Sequence, residues 1–318
     1  MTELVTYRQA RAYDPSMTTT LRSVFARNMN RRFNELVVTI KKAVVEEDVF
    51  GLKPKTHTLQ MTTPGKEAFI FRRDSEKVEE FMKWLQIQVD KGILEVTTFQ
   101  QIGKSIESAW TNLYISDSYK RGLMRARSEM IKAGMDIPTM DQSGGVDVWM
   151  RSPFHLERLG LLFTRTFNDL KGITAAMDMQ IARVLAQGIA DGDGMLLLAR
   201  KLVATINGTG MGELGITDTL GRFIPAQVRV EMLARTEIIR AFAEAGLNEM
   251  QNWGVEGVTA LAEFHTAGDD RVCPKCEHLE GKIYTLDDAH GIIPIHPRCR
   301  CIWLPWVEEL QKYYTNGR

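Results

Sequence analysis

The stretch that decides the fold of the C-terminal region reads Cys273-Pro-Lys-Cys276 and, about 20 residues later, His296-Pro-Arg-Cys299-Arg-Cys301. It contains all four cysteines of the chain, and no thiol precedes it. A Cys-x2-Cys pair followed by a second cluster of Cys and His has the ligand types and the spacing of a structural zinc site. The sequence therefore predicts a structural Zn2+ ion.

Five candidate ligands compete for the four positions of a tetrahedral zinc ion. We favour Cys273, Cys276 and Cys301, with either Cys299 or His296 as the fourth ligand. These donors suffice to close the coordination shell, and closed zinc sites are structural. Two disulfides are one alternative, which the lack of a secretory signal at the N-terminus disfavours. A redox-active Cys-x2-Cys pair is another, but no thioredoxin-like βαβ pattern precedes the motif.

The module around these ligands is small. It covers about 50 residues, from Val255 to Pro305, which is close to the size at which a hydrophobic core alone is marginal. Because metal binding and folding are coupled in such modules, a zinc ion would supply the missing stability.

The composition argues against two classes of protein. Lys plus Arg and Asp plus Glu are equal at 40 each in 318 residues, so the formal net charge is zero. A protein that mainly coats nucleic acid needs a positive field, which this balance does not give. No apolar run approaches the roughly 18 residues of a membrane span, so we expect no membrane association.

Most of the first 252 residues show helical periodicity, in which apolar residues recur at three- and four-residue steps. Short β-rich runs without this period follow the last helix. The patterns predict helices over 18–45, from 74 or 75 to a C′ glycine at Gly92, over 110–133, after Pro153, over 195–206 and over 226–252. They predict strands within 68–72, 255–264, 282–286 and 301–304, and loops at 49–73, 140–146 and 207–214.

The predicted fold is mainly α, an elongated multi-helix body followed by a small α+β zinc-stapled C-terminal module. We divide the chain into a long basic amphipathic N-terminal helix (1–48), a helical region with a connector (49–145), a helical core (146–252) and the mixed module with its tail (253–318). The breaks follow glycine- and proline-rich loops and the change in composition near Gly254.

The first helix carries six basic residues and, between 18 and 45, only Glu35 as an acid. Such a stripe is typical of a solvated outer face. It is also a candidate surface for an acidic partner or for DNA. The candidate contact residues are Arg22, Arg27, Arg31, Arg32, Lys41 and Lys42.

Two landmarks carry a resemblance to a known family. The run Thr266-Ala-Gly-Asp-Asp-Arg-Val-Cys-Pro-Lys-Cys276, closed by Ile295-His-Pro-Arg-Cys-Arg-Cys301, closely resembles the signature of the phage head morphogenesis family, the Mu F-like minor head proteins of tailed bacteriophages. Upstream, Met232-Leu-Ala-Arg-Thr-Glu237 resembles the second landmark of that family, and Gly188-Ile-Ala-Asp-Gly192 is also similar to it.

The resemblance implies a minor structural protein of the virion that is not an enzyme. It would join the head near the portal vertex, after assembly in the host cytoplasm, with the portal protein and/or the major capsid protein as partners. Packaged DNA is a further candidate partner, in packaging or ejection. The alternative is a metal-dependent nuclease or hydrolase acting during head maturation, with His265, Asp269, Asp270 and His296 as its groups.

Overall fold

The computed structural model describes residues 14–52, 74–101, 104–207, 224–253 and 261–306. The strand predicted within 68–72, most of the loop predicted at 207–214 and the start of the strand predicted at 255 lie outside these residues. Among the described helices, none combines the length and the hydropathy that a membrane span requires.

Within the described residues the protein is mainly helical, as predicted. The helices are α1 (Thr19–Lys41), which continues as a π-helical turn (Lys42–Glu46), α2 (Asp74–Gly92), α3 (Asn112–Lys132), α4 (Val146–Trp149), α5 (Pro153–Ala190), α6 (Met195–Asn207), α7 (Ala226–Trp253), α8 (Pro274–Glu277) and α9 (Leu286–Ala289). The short helices α8 and α9 belong to the C-terminal module.

In the part of the chain that the structure describes, the strands form two small antiparallel sheets. One is a hairpin of β1 (Val96–Gln101) and β2 (Lys104–Ala109). The other has the order β4-β3-β5, with β3 (Leu261–His265) at its centre between β4 (Ile283–Thr285) and β5 (Ile302–Trp306). The second sheet confirms the predicted small α+β module, whereas the hairpin is a feature that the sequence patterns did not predict.

The described residues group into two compact units, each made of segments distant in sequence. One unit gathers the described residues of Met1–Ala26, Trp110–Thr166 and Met232–Arg318. The other gathers those of Arg27–Ala109 and Phe167–Glu231. The four sequence segments proposed above stay a prediction.

The predicted apolar faces of the second unit are buried in its core. Helix periodicity places these side chains on one stripe of each helix, and burying such a stripe is what stabilises a helix in a protein. The stripes consist of Phe33, Leu36 and Ile40 of α1, Phe81, Leu85 and Val89 of α2, and Met177, Ile181 and Leu185 of α5.

Two glycines near helix ends behave differently. Gly134 follows α3 with a φ of 89°, the left-handed conformation that a C′ residue adopts. Gly92 was predicted to play the same part after α2, and this is wrong, because it is the last residue of the helix. Arg32 explains the difference: its Nη1 donates to the Gly92 carbonyl at 2.5 Å, so a side chain satisfies that C-terminal acceptor.

Helices α3 and α7 approach closely in the first unit at a glycine. A Cβ added to Gly122 would lie 2.3 Å from the carbonyl oxygen of Phe242 and 2.8 Å from the Cβ of Ala245. One helical turn away, the Ser118 hydroxyl donates to the Ile238 carbonyl at 2.6 Å. Small side chains on both helices therefore let the backbones touch.

A charged cluster is buried beside this contact. Arg127 of α3 donates from Nε to the carboxylate of Glu249 of α7 at 2.7 Å, and both side chains are at most 2% exposed. The indole N–H groups of Trp149 and Trp253 donate to the same carboxylate at 2.9 and 3.0 Å. Burial alone would raise the pKa of Glu249, but His155 at 3.4 Å, the hydrogen bond from Trp149 and the charge of Arg127 lower it.

We predict that Arg127→Met lowers the free energy of unfolding by about 3 kcal/mol, because it leaves a buried carboxylate without its cation. Arg121→Met is the matched control on the same helix, since Arg121 pairs with Asp117 at the surface with 46% and 40% exposure. The control should change stability by less than about 0.5 kcal/mol. Urea unfolding measures both, and equal losses would contradict the prediction.

Candidate metal centre

The first pair of thiols is placed by a short helix. Cys273 is the N-cap of α8, where its sulfur accepts the backbone N–H of Cys276 at 3.5 Å. Pro274 occupies the first helical turn, where the absence of an N–H costs nothing. The turn directs Cys276 inward, where it is 2% exposed, and leaves Cys273 half-buried.

The second pair lies in the loop that leads into β5. Cys299 and Cys301 are 1% and 3% exposed. The strand predicted at 301–304 corresponds to β5, which begins at Ile302, after both cysteines. The loop itself directs both sulfurs into the interior.

The five predicted metal ligands fall into two groups that share Cys276. The Nε2 of His296 lies 3.2 Å from the sulfurs of both Cys273 and Cys276. These three form one group and Cys276, Cys299 and Cys301 form another, with all ligand atoms of a group within 4.8 Å of one another. Tetrahedral sulfurs around zinc are about 3.8 Å apart, so each group of three has the spacing of ligands around one metal ion, and Cys276 belongs to both groups.

His296 has its proton fixed by the backbone. Its Nδ1 lies 2.8 Å from the carbonyl oxygen of Pro297, which can only accept, so Nδ1 carries the hydrogen. Nε2 therefore presents its lone pair to the two thiols. A histidine that ligates a metal is held in the same way by its second nitrogen.

The thiols differ in their tendency to ionise. A hydrogen bond from the Cys301 side chain lowers the pKa of Cys299 to about 5, against the effect of burial and with help from backbone N–H groups. Burial and the neighbouring charge of Cys299 raise the pKa of Cys276 to about 12, and the pKa of Cys301 also rises, because of its hydrogen bond with Cys299 and burial. Only a cation would let all these sulfurs ionise together. All four cysteines are free thiols in this structure.

The hydrophobic core of the C-terminal module includes side chains from helices outside the module. Cys276, Cys299 and Cys301 belong to one hydrophobic cluster with Phe264 and Trp303 of the sheet. Side chains of α3 and α7 complete the same cluster, namely Ala126, Met130, Ile239, Ala243, Leu247 and Met250. The cysteine cluster therefore sits in a core that it shares with two long helices of its unit.

Three of the four residues of the enzyme alternative, His265, Asp269 and His296, have partners inside the module. Nη1 and Nη2 of Arg300 donate to the two carboxylate oxygens of Asp269 at 2.7 and 2.5 Å, and Arg271 adds a bond at 2.9 Å. His265 Nδ1 lies 2.9 Å from a carboxylate oxygen of Glu280. His265, Asp269, Asp270 and His296 are all described residues, and they do not form one cluster of candidate metal ligands.

The six basic residues of α1 and its π-helical turn have different surroundings. Arg22 is buried and paired with Asp14. Arg32 is half-buried and pairs with Glu95 at 2.8 Å. The exposed members of the set are Arg27, Arg31, Lys41 and Lys42. Contact with a partner or with DNA stays a prediction for these residues.

The comparisons with known proteins bear on the same region. Residues 179–304, about two fifths of the chain, match the family model described as phage Mu protein F like protein. The match contains α7 and both cysteine motifs, and it confirms the resemblance to the Mu F-like head morphogenesis family. No curated protein and no solved structure matches the chain.

We predict that the purified protein contains one bound metal ion per chain and that Cys276→Ser abolishes binding, because Cys276 belongs to both ligand groups. His296→Ala and Cys299→Ala then distinguish the candidate fourth ligands, since loss of a true ligand costs at least about tenfold in affinity. His278→Ala is the control, an exposed histidine of the same module. Elemental analysis measures the metal, and a metal content unchanged by Cys276→Ser would contradict the assignment.

We predict that the pair His265–Glu280 stabilises the fold most at mildly acidic pH. Burial would raise the pKa of Glu280, but the bonds from His265 and Thr266 lower it to about 2, so its contribution is lost as the pH falls below about 4.3. The bond to Glu280 raises the pKa of His265, so its contribution declines as the pH rises above about 6.5.

NMR titration of His265 tests this coupling. Glu280→Gln should return the pKa of His265 towards its ordinary value and remove the extra thermal stability between about pH 4.3 and 6.5. The exposed Glu277→Gln should leave both unchanged. An identical His265 titration in wild type and Glu280→Gln would refute the coupling.

Proposed function

We propose that this protein, whose residues 179–304 match the Mu F-like family, is a minor head protein of a tailed bacteriophage. It would take part in head assembly at or near the portal vertex, and its place would be the virion head. The observation that carries the proposal is the match itself, because it joins the helix landmark on α7 to both cysteine motifs in one segment. Proteins of this family are generally structural, so we propose an assembly role and no enzymatic activity.

The metal in this proposal is a structural zinc ion. Thiolate and imidazole donors select zinc among the common structural metals, and there are more donors here than a tetrahedral ion needs. Cys273, Cys276, Cys301 and either Cys299 or His296 would hold it. Bound zinc would allow the thiols to ionise together, and the loops that carry them would then be fixed to each other. The chain thereby keeps a defined surface in the C-terminal module.

The proposed partners are the portal protein and/or the major capsid protein. An assembly protein acts through its surface, and a rigid module of this kind gives a partner a fixed shape to bind. Packaged DNA is a further proposed partner through Arg27, Arg31, Lys41 and Lys42, which are exposed. Because the net charge is zero, such DNA contact would be local and sensitive to salt.

Protein composition of phage particles tests the proposal. We predict that mass spectrometry of procapsids and virions from the phage that encodes this chain detects it in fewer copies than the major capsid protein. Cys276→Ser should reduce its incorporation, because the module loses its metal, whereas His278→Ala should be incorporated normally. Absence of the wild-type protein from both kinds of particle would refute the head-protein role.

A DNA cleavage assay tests the alternative that the protein is a metal-dependent nuclease. Wild type and Asp270→Ala are incubated with DNA and a divalent metal. Negligible cleavage by both fits the structural role. Cleavage by wild type that is lost in Asp270→Ala would favour the nuclease.

A further inference from the structure

The turn that leads to the first cysteine motif is built around a carboxylate. Strand β3 ends at His265, and Asp269 follows it, shortly before Cys273. The backbone carbonyl of Asp269 accepts from the N–H of Val272 at 3.1 Å, and its Oδ1 accepts from the N–H of Arg271 at 3.1 Å. Asp269 therefore fixes the turn from which the chain enters α8, whose N-cap is Cys273.

An arginine of the second cysteine motif reaches this turn. Arg300 separates Cys299 from Cys301, and the pairing of β5 with β3 begins only at Ile302, so the sheet ladder does not hold the loop of these cysteines. Nη1 and Nη2 of Arg300 donate to the two carboxylate oxygens of Asp269 at 2.7 and 2.5 Å. A side-chain ion pair thus joins the loop of the second motif to the turn before the first.

The pair has the features of an ion pair that holds a fixed geometry. The side chains of Asp269 and Arg300 are 9% and 16% exposed, and the two donors of the guanidinium match the two oxygens of the carboxylate. Exposed pairs contribute little, because water and salt screen them and their side chains move. The bonds from Arg300 and Arg271 hold the pKa of Asp269 below its ordinary value, against the effect of burial, so the carboxylate is ionised at neutral pH.

Asp269 is not itself one of the candidate metal ligands. Among the residues that the structure describes, the two ligand groups consist of the cysteines and His296. Both carboxylate oxygens of Asp269 already accept hydrogen bonds from arginine side chains. Asp269 can therefore act on a metal only through the two segments that it joins.

We propose that the Asp269–Arg300 ion pair is a positioning element of the metal centre, which holds the loop of Cys299 and Cys301 against the turn that leads to Cys273 before a metal binds. The inference rests on the zinc site of the proposed function and adds the residues that prepare it for the metal. A metal binds more weakly to a site whose ligands are assembled only part of the time, because the apparent affinity falls with the assembled fraction. Removing one side of the pair should therefore weaken zinc binding although every ligand is still present.

The zinc affinity of the reduced, metal-free, full-length protein tests the proposal, measured by competition with a chromophoric chelator. Asp269→Asn keeps the size of the side chain without its charge and should weaken zinc binding at least about tenfold, the effect of losing a supporting contact around a metal site. Arg300→Gln should weaken it to a similar extent. The matched controls are Lys275→Gln and Glu277→Gln, which remove exposed charges on either side of Cys276 and should bind zinc as wild type does, because water and salt screen such charges.

Two further measurements separate positioning from folding. Circular dichroism selects a temperature at which each metal-free variant is folded, and the affinities are compared there. The double variant Asp269→Asn with Arg300→Gln should lose no more affinity than either single variant, because the two residues act as one pair. If Asp269→Asn does not fold without metal, Arg300→Lys takes its place, since it keeps the charge but not the paired donors, and it should also bind zinc more weakly.

The outcomes that contradict the proposal are distinct from each other. Wild-type zinc affinity in folded Asp269→Asn, an equal loss of affinity in Glu277→Gln, or losses that add up in the double variant would overturn the positioning role and leave the zinc site in place. A wild-type protein that binds no zinc would overturn the zinc site and this inference together, and that result is visible before any substitution is made.

Discussion

The first unit depends on the convergence of buried sulfurs around Cys276. Three thiols at most 3% exposed share a core with the sheet, α3 and α7, and a half-buried fourth thiol and an imidazole approach them from the α8 side. Sulfurs packed this closely repel one another once they ionise, as the opposite pKa shifts of Cys276 and Cys299 indicate. A bound cation would remove the repulsion between the thiolates and would let them ionise together.

Helix α7 contributes side chains to three sets of contacts in the first unit. Ile239, Ala243 and Leu247 pack into the core around the cysteines. Glu249 holds the buried arginine of α3, and Asn248 donates to the hydroxyl of Tyr119 of α3 at 3.2 Å. A helix that is buried on most sides has no single polar face, so its apolar period is weak. The effect of a substitution on α7 should therefore depend on which of these neighbours the replaced side chain contacts.

The sequence predicted the features that have local causes. Periodic apolar residues located the long helices, and the motifs located the ligand cluster, because both signals come from residues close in sequence. The hairpin of β1 and β2 was missed since Thr97, Thr98, Gln100 and Gln101 give no apolar alternation. The pairing of Arg127 with Glu249 joins residues 122 positions apart, which no local pattern reports. The end of α2 was misjudged for the same reason, because Arg32 acts on it from another helix.

The equal numbers of acidic and basic residues do not show which arginines are buried in ion pairs and which are exposed. Arg22, Arg127 and Arg300 are engaged in ion pairs at low exposure, so their charges hold the fold together and contribute little to the field outside. The surface charge available to a partner is then set by which cations stay exposed. A neutral composition is thus compatible with a local cationic surface such as the one that carries Arg27 and Arg31 on α1. Recognition by this protein should accordingly depend on individual arginines, and salt should weaken it at those sites without changing the stability of the buried pairs.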